Sequence, residues 1–182
     1  MSKLSDLTSA ALASLLGNVN FSAKATYAIN AAGAATIKTT GAFEYTVGGV
    51  KYSKAALAAQ SIAVTHDAYG NAFTGYVQPA GVTTYLTLAL NAAGTVAVVQ
   101  GTYAGQKPGQ DPAVGVGPAY NNGTSFIGSG AVPDVPAGYT AIAVIKVVTA
   151  GVATFTPGTT LLDAANVTPS YFDVAVLPSG LL

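Results

Sequence analysis

The chain has 182 residues, the length of a single domain; 51% are hydrophobic and only 8% charged, against about 25% charged in ordinary soluble domains. Seven Lys balance seven acids and Arg is absent, which argues against nucleic-acid binding, because phosphate contacts depend on Lys and Arg and the Lys form no patch. Cys is absent too, which excludes disulfides and thiolate metal sites, and so weakly charged a surface suits a subunit in permanent contact more than a free monomer.

Residues 1–20 are predicted as a helical arm. Leu4, Leu7, Ala11, Leu12, Leu15 and Leu16 recur at spacings of three and four, Ser2 or Ser5 can cap, and Gly17 stands where a helix stops. So short a helix must dock, on its own sheet or on a neighbouring subunit, which makes Leu4, Leu12 and Leu16 candidate contact residues. Met1-Ser2-Lys3-Leu4 is not the start of a signal peptide, and no apolar run approaches the about 20 residues that a bilayer requires. The expectation is a chain made and folded in a cytoplasm, with no membrane partner.

Residues 21–182 read as one β-rich domain. Ala25–Ile29 and Ala35–Thr40 flank the turn Asn30-Ala31-Ala32-Gly33. In Phe43–Tyr52 the Gly48-Gly49 pair fits a two-residue hairpin loop, which sets Val47 opposite Val50, Thr46 opposite Lys51 and Tyr45 opposite Tyr52. Ser53–Gln60 is rich in Ala behind a capping Ser and predicts a helical turn or two. Ser61–Thr65 and Phe73–Gln78 flank another turn at 67–71.

Tyr85–Gln100 carries the strongest pattern. Leu86, Leu88 and Leu90 alternate with Tyr85, Thr87 and Ala89, then Asn91-Ala92-Ala93-Gly94 provides a type I turn ending on a residue of positive φ. This predicts a central hairpin. Its second strand is apolar on both faces at Val96, Ala97, Val98 and Val99, so it needs cover on both sides, and Val96 and Val98 become candidate interface residues.

Residues 101–138 hold nine of the 21 Gly and five of the nine Pro, and predict an extended loop or arm over the surface or over a neighbour. Tyr103, Tyr120 and Tyr139, within or bounding that stretch, are candidate partner contacts. Ala141–Val148 and Val152–Thr156 then read as a hairpin, Leu161–Ala165 as a single turn and Tyr171–Leu177 as the last strand. Eight to ten short strands at this spacing predict an all-β fold, an antiparallel sandwich or barrel, with a short N-terminal helix and a long Gly/Pro-rich loop.

No reaction chemistry is legible. His66 stands beside Asp67, but no nucleophile elbow accompanies it, so a polar surface residue is the better reading. Asp111, Asp134, Asp163 and Asp173 show no metal-ligand spacing, and only a fold that converged two of them would make a glycosidase pair. The expectation is no enzyme, no cofactor and no metal.

The order of four stretches resembles a known layout. F-E-Y-T-V-G-G-V-K-Y-S-K at Phe43–Lys54 is followed by Y-L-T-L-A-L-N-A-A-G-T-V-A-V-V-Q-G at Tyr85–Gly101, V-P-D-V-P-A-G-Y-T-A-I-A-V-I-K-V at Val132–Val147 and F-T-P-G-T-T-L-L-D at Phe155–Asp163. This order is similar to that of virion structural proteins of tailed bacteriophages, of the head-decoration, head-fibre and tail-fibre type. The resemblance implies a β-rich late structural protein, commonly trimeric, on the capsid surface, with the major capsid protein or other virion proteins as partner and no catalytic residues. The short chain favours a capsid decoration (cement) or head-fibre-base protein; the alternative is a tail-fibre or receptor-binding module contacting host surface glycans.

Overall fold

The computed structural model describes residues 25–67, 70–101, 133 and 135–173. The N-terminal arm and most of the 101–138 excursion, with Leu4, Leu12, Leu16, Tyr103 and Tyr120, lie outside the described residues. Within them the protein is all-β, with nine strands in three antiparallel sheets and no helix.

The Asn91–Gly94 hairpin forms as its pattern requires. β6 (Thr83–Asn91) pairs antiparallel with β7 (Val96–Gln100), with Leu90 opposite Val96 and Leu88 opposite Val98. β6 also pairs with β8 (Tyr139–Thr149), and β8 with β9 (Val167–Asp173), giving a four-stranded sheet in the order β7-β6-β8-β9. The register slips between Leu88 and Ala89: Leu88 faces Ala143 and Ala89 faces Ala141, so Ile142 is bulged out of the ladder. Its carbonyl accepts a hydrogen bond from the Tyr27 hydroxyl at 3.1 Å.

The other sheets are smaller. β1 (Tyr27–Ile29) and β2 (Thr36–Thr39) form the hairpin expected around the 30–33 turn, and β5 (Gln60–Ser61) adds to β2. β3 (Phe43–Val47) and β4 (Val50–Lys54) pair in the register that Gly48-Gly49 dictates, with Tyr45 opposite Tyr52 and Val47 opposite Val50. Phe43 and Tyr45 bury one face of β3, while Lys51 and Glu44 pair by charge at 2.6 Å. One apolar core joins all of these: Ile37, Phe43 and Tyr45 meet Leu86, Leu88, Leu90, Val98, Ile145, Val147, Phe155 and Leu162.

Two local expectations are corrected. Ser53–Gln60 does not coil into helical turns: Ser53 and Lys54 finish β4, and the chain then runs along β2. Thr39 N–H donates to the Leu57 carbonyl at 3.0 Å and Leu57 N–H to the Thr39 hydroxyl at 2.9 Å, so a sheet edge satisfies the backbone that a helix would have satisfied. Nor does Val152–Thr156 return along β8. Asn166 and Val167 take that place, with Ala150 N–H donating to the Asn166 carbonyl at 2.9 Å and Thr149 opposite Val167. Phe155 instead exchanges both backbone hydrogen bonds with Gln78, at 2.8 and 3.0 Å, and its ring is fully buried. Gly158 then lies so close to Ala63 that a Cβ there would sit 2.8 Å from the Ala63 Cβ.

The β7–β6 side of the four-stranded sheet is buried on both faces. Opposite the main core, Tyr85, Thr87, Ala89, Ala97, Val99 and Val144 are all buried, and the Thr87 hydroxyl donates to the Pro133 carbonyl at 3.4 Å. The demand for two-sided cover, legible in the apolar run at 96–99, is met within one chain. Pro169 removes a donor from β9. Along β7, Thr65 and His66 N–H both donate to the Val98 carbonyl, Val98 N–H donates to the Thr65 hydroxyl and Gln100 N–H to the His66 carbonyl.

Candidate contact surface at the 91–95 turn

The turn that closes β6–β7 is fixed from inside. Gly94 adopts φ 75°, a conformation favourable only without a side chain, and its N–H donates to the Asn91 carbonyl at 2.9 Å. The Asn91 carboxamide oxygen accepts from Ala93 N–H at 3.1 Å and Thr95 N–H at 2.9 Å, so one side chain satisfies two turn donors.

The β3–β4 hairpin grips the same turn from one side. The Tyr45 hydroxyl donates to the Asn91 carbonyl at 3.0 Å, and Lys54 Nζ to the Gly94 carbonyl at 2.7 Å. Tyr45 is held for this role by stacking on Tyr52, with ring centroids 5.6 Å apart and planes 27° apart. Burial, and secondarily the neighbouring Tyr52, push the Tyr45 hydroxyl above its ordinary pKa, so it stays a donor.

Tyr139 and His66 flank the other side. Tyr139 opens β8 opposite Asn91, and the Asn91 amide donates to its hydroxyl at 3.4 Å. The His66 ring meets Tyr139 edge-on, with centroids 5.9 Å apart. His66 Nδ1 lies 2.9 Å from the Thr65 hydroxyl oxygen, which also receives Val98 N–H and lies 3.2 Å from the Val98 carbonyl. A hydrogen on Nδ1 lets all three bonds coexist: Thr65 accepts from His66 and Val98 and donates to the Val98 carbonyl.

Of the residues proposed from sequence, the structure brings Tyr139 and Val96 to this one end of the four-stranded sheet, both half-buried. Val98 faces the main core and is 2% exposed. The surface around the turn consists of exposed Ala92, Ala93 and Thr95 with half-buried Asn91, Val96, His66 and Tyr139, and the Lys54 ammonium that reaches it donates to the Gly94 carbonyl. Such a set offers shape, apolar area and hydrogen bonds to a partner.

Sequence reasoning missed Tyr45 and Lys54 as the residues that anchor this end, because their partners lie 46 and 40 positions away. It also missed two buried amides, Gln78 and Gln100, both 0% exposed. For Gln100 a signal existed: a polar residue closing the apolar strand V-A-V-V-Q at a position that alternates with the core.

The acidic candidates are dispersed among other tasks. Asp111 and Asp134 lie outside the described residues. Asp163 accepts Gly33 N–H at 2.8 Å and so ties the 30–33 turn to the loop before β9. Asp173 ends β9 and, after burial itself, contributes to raising the pKa of Tyr27. Among the described residues no three His, Cys, Asp or Glu side chains are grouped to hold a metal ion.

No protein-family model, curated protein or solved structure matches the chain.

Proposed function

We propose that the chain is a virion structural protein of a tailed bacteriophage, a capsid decoration or head-fibre-base protein that binds and stabilises the head shell. The carrying observation is the order of strand and turn patterns in the sequence at Phe43–Lys54, Tyr85–Gly101, Val132–Val147 and Phe155–Asp163, set in a chain with only 8% charged residues. On this reading the three sheets form a β-sandwich closed over the common core, and the unit is a homotrimer on the capsid surface, in contact with the major capsid protein.

A contact end whose turn is held by backbone-directed bonds supports the reading. Decoration works by burying area at many equivalent sites, and a ligand that binds only the intact shell stabilises it by mass action. An end such as the 91–95 turn, fixed by backbone-directed bonds from Tyr45 and Lys54, loses little conformational entropy on docking. Tyr139 adds an aromatic group whose hydroxyl is already placed.

Counting copies in particles purified from the phage that encodes the chain tests this. A decoration protein is present in numbers comparable to the shell's local symmetry axes and is located on the head. A few copies per particle confined to the tail would replace this reading with the tail-fibre or receptor-binding one. Light scattering on the isolated protein is expected to give three times the 18.0 kDa chain mass.

A further inference from the structure

His66 is the only histidine of the chain, and its ring stands edge-on to Tyr139, with centroids 5.9 Å apart, beside the 91–95 turn. Its backbone is fixed against β7. His66 N–H donates to the Val98 carbonyl at 3.1 Å, and its carbonyl accepts from Gln100 N–H at 3.0 Å. Nδ1 lies 2.9 Å from the Thr65 hydroxyl oxygen, and turning the ring over would set a carbon there instead, so this contact tells the two nitrogens apart. With the hydrogen on Nδ1, Nε2 is an acceptor. The ring is half-buried, and among the described residues Nε2 has no partner and is not closed off from solvent.

The groups packed around the ring favour a neutral counterpart. On its own segment, the Asp67 carboxylate accepts from Asn71 N–H at 2.8 Å and from the Asn71 amide at 3.1 Å. β7 contributes Val98, Val99 and Gln100, β8 contributes the Tyr139 phenol, and residues 70–73 and 135–138 contain no charged side chain. Lys54 Nζ reaches the turn from its other side and donates to the Gly94 carbonyl at 2.7 Å. A neutral imidazole here accepts a hydrogen bond, whereas a protonated one carries a charge and a second donor, and burying that charge without a counter-ion is costly.

We propose that His66 Nε2 is the hydrogen-bond acceptor of the contact surface, receiving an uncharged N–H or O–H donor of the capsid protein, so that docking requires the neutral ring. This rests on the proposed function and on docking through the 91–95 end. Histidine is the side chain that exchanges its proton between about pH 5 and 8. A ring protonated in the free protein must release that proton to dock, so affinity falls as pH falls.

The test measures binding of the full-length protein to phage heads that lack it, at steps between about pH 5.5 and 7.5, beside an NMR titration of the His66 ring in the free protein. Wild-type binding should weaken by up to about tenfold for each pH unit below the ring's own titration. His66→Gln removes the titrating group and should bind with an affinity that does not change across this range. Binding that ignores pH, or the same pH dependence in His66→Gln, overturns the proposal while leaving the proposed function standing. Absence of binding to heads at every pH overturns the function, and the proposal with it. Should His66→Gln fail to fold, a wild-type binding midpoint that departs from the ring titration overturns the proposal, and one that coincides with it supports it.

Discussion

The Tyr45 hydroxyl donates to the carbonyl of Asn91 at 3.0 Å across 46 positions of sequence, joining the two most regular hairpins of the chain. Lys54 repeats the link at Gly94, 2.7 Å away. Tyr45→Phe keeps the ring and its stack on Tyr52 and removes only this bond, and is expected to cost about 0.5–1.5 kcal/mol. Lys54→Met, at a half-buried site where solvent screens the charge, should cost less. The two bonds share one turn, so the double variant should depart from the sum of the singles, as read in a denaturation cycle. Strict additivity would mean that the turn is not held as a unit.

Asn91→Ala removes an oxygen that accepts from both Ala93 and Thr95 while leaving the strands intact. The expected loss is about 1–2 kcal/mol, with hydrogen exchange accelerated at Ala93 and Thr95 more than at Val98, whose donor is held by Thr65. Equal acceleration along β7 would show that the turn and strand open together.

Gly33 and Gly158 separate backbone strain from packing. Their φ angles are similar, 71° and 78°, but a Cβ at Gly33 meets nothing within 4 Å, whereas at Gly158 it would lie 2.8 Å from Ala63. Gly33→Ala should cost about 1–2 kcal/mol from the left-handed conformation alone. Gly158→Ala adds overpacking of about 1–3 kcal/mol, and its melting temperature should fall correspondingly further.

Tyr27 sets an alkaline limit. Burial, followed by the charge of Asp173, raises its hydroxyl well above the ordinary 10.0. The folded state therefore keeps this proton at pH values where the unfolded chain releases it. The stabilisation is fully present below pH 10.0 and declines as pH rises beyond it. Thermal melts across that range should show the decline, and Tyr27→Phe should flatten its slope while losing the bond to the Ile142 carbonyl. An unchanged slope in Tyr27→Phe would assign the alkaline limit to another group.

Much of the architecture was legible because it is local. Gly48-Gly49 fixed the Tyr45–Tyr52 register, and Asn91 with Gly94 fixed the β6–β7 turn. Pairing decided at long range was not. Val152–Thr156 follows β8 and has strand-like residues, yet Val167–Asp173 wins the place beside β8 with a longer matching run. Ser53–Gln60 favours helix in isolation, but the open edge of β2 offers its backbone partners that no local propensity encodes. For the contact surface, Tyr139 and Val96 were visible as residue types, whereas their convergence around Asn91 depends on the bulge-containing β6–β8 register.

Co-sedimentation of the full-length protein with phage heads that lack it tests the central claim most directly. The account predicts saturable binding at many equivalent sites per head, and greater resistance of the decorated shells to heat. Absence of binding to heads, with binding to host cells instead, would contradict it.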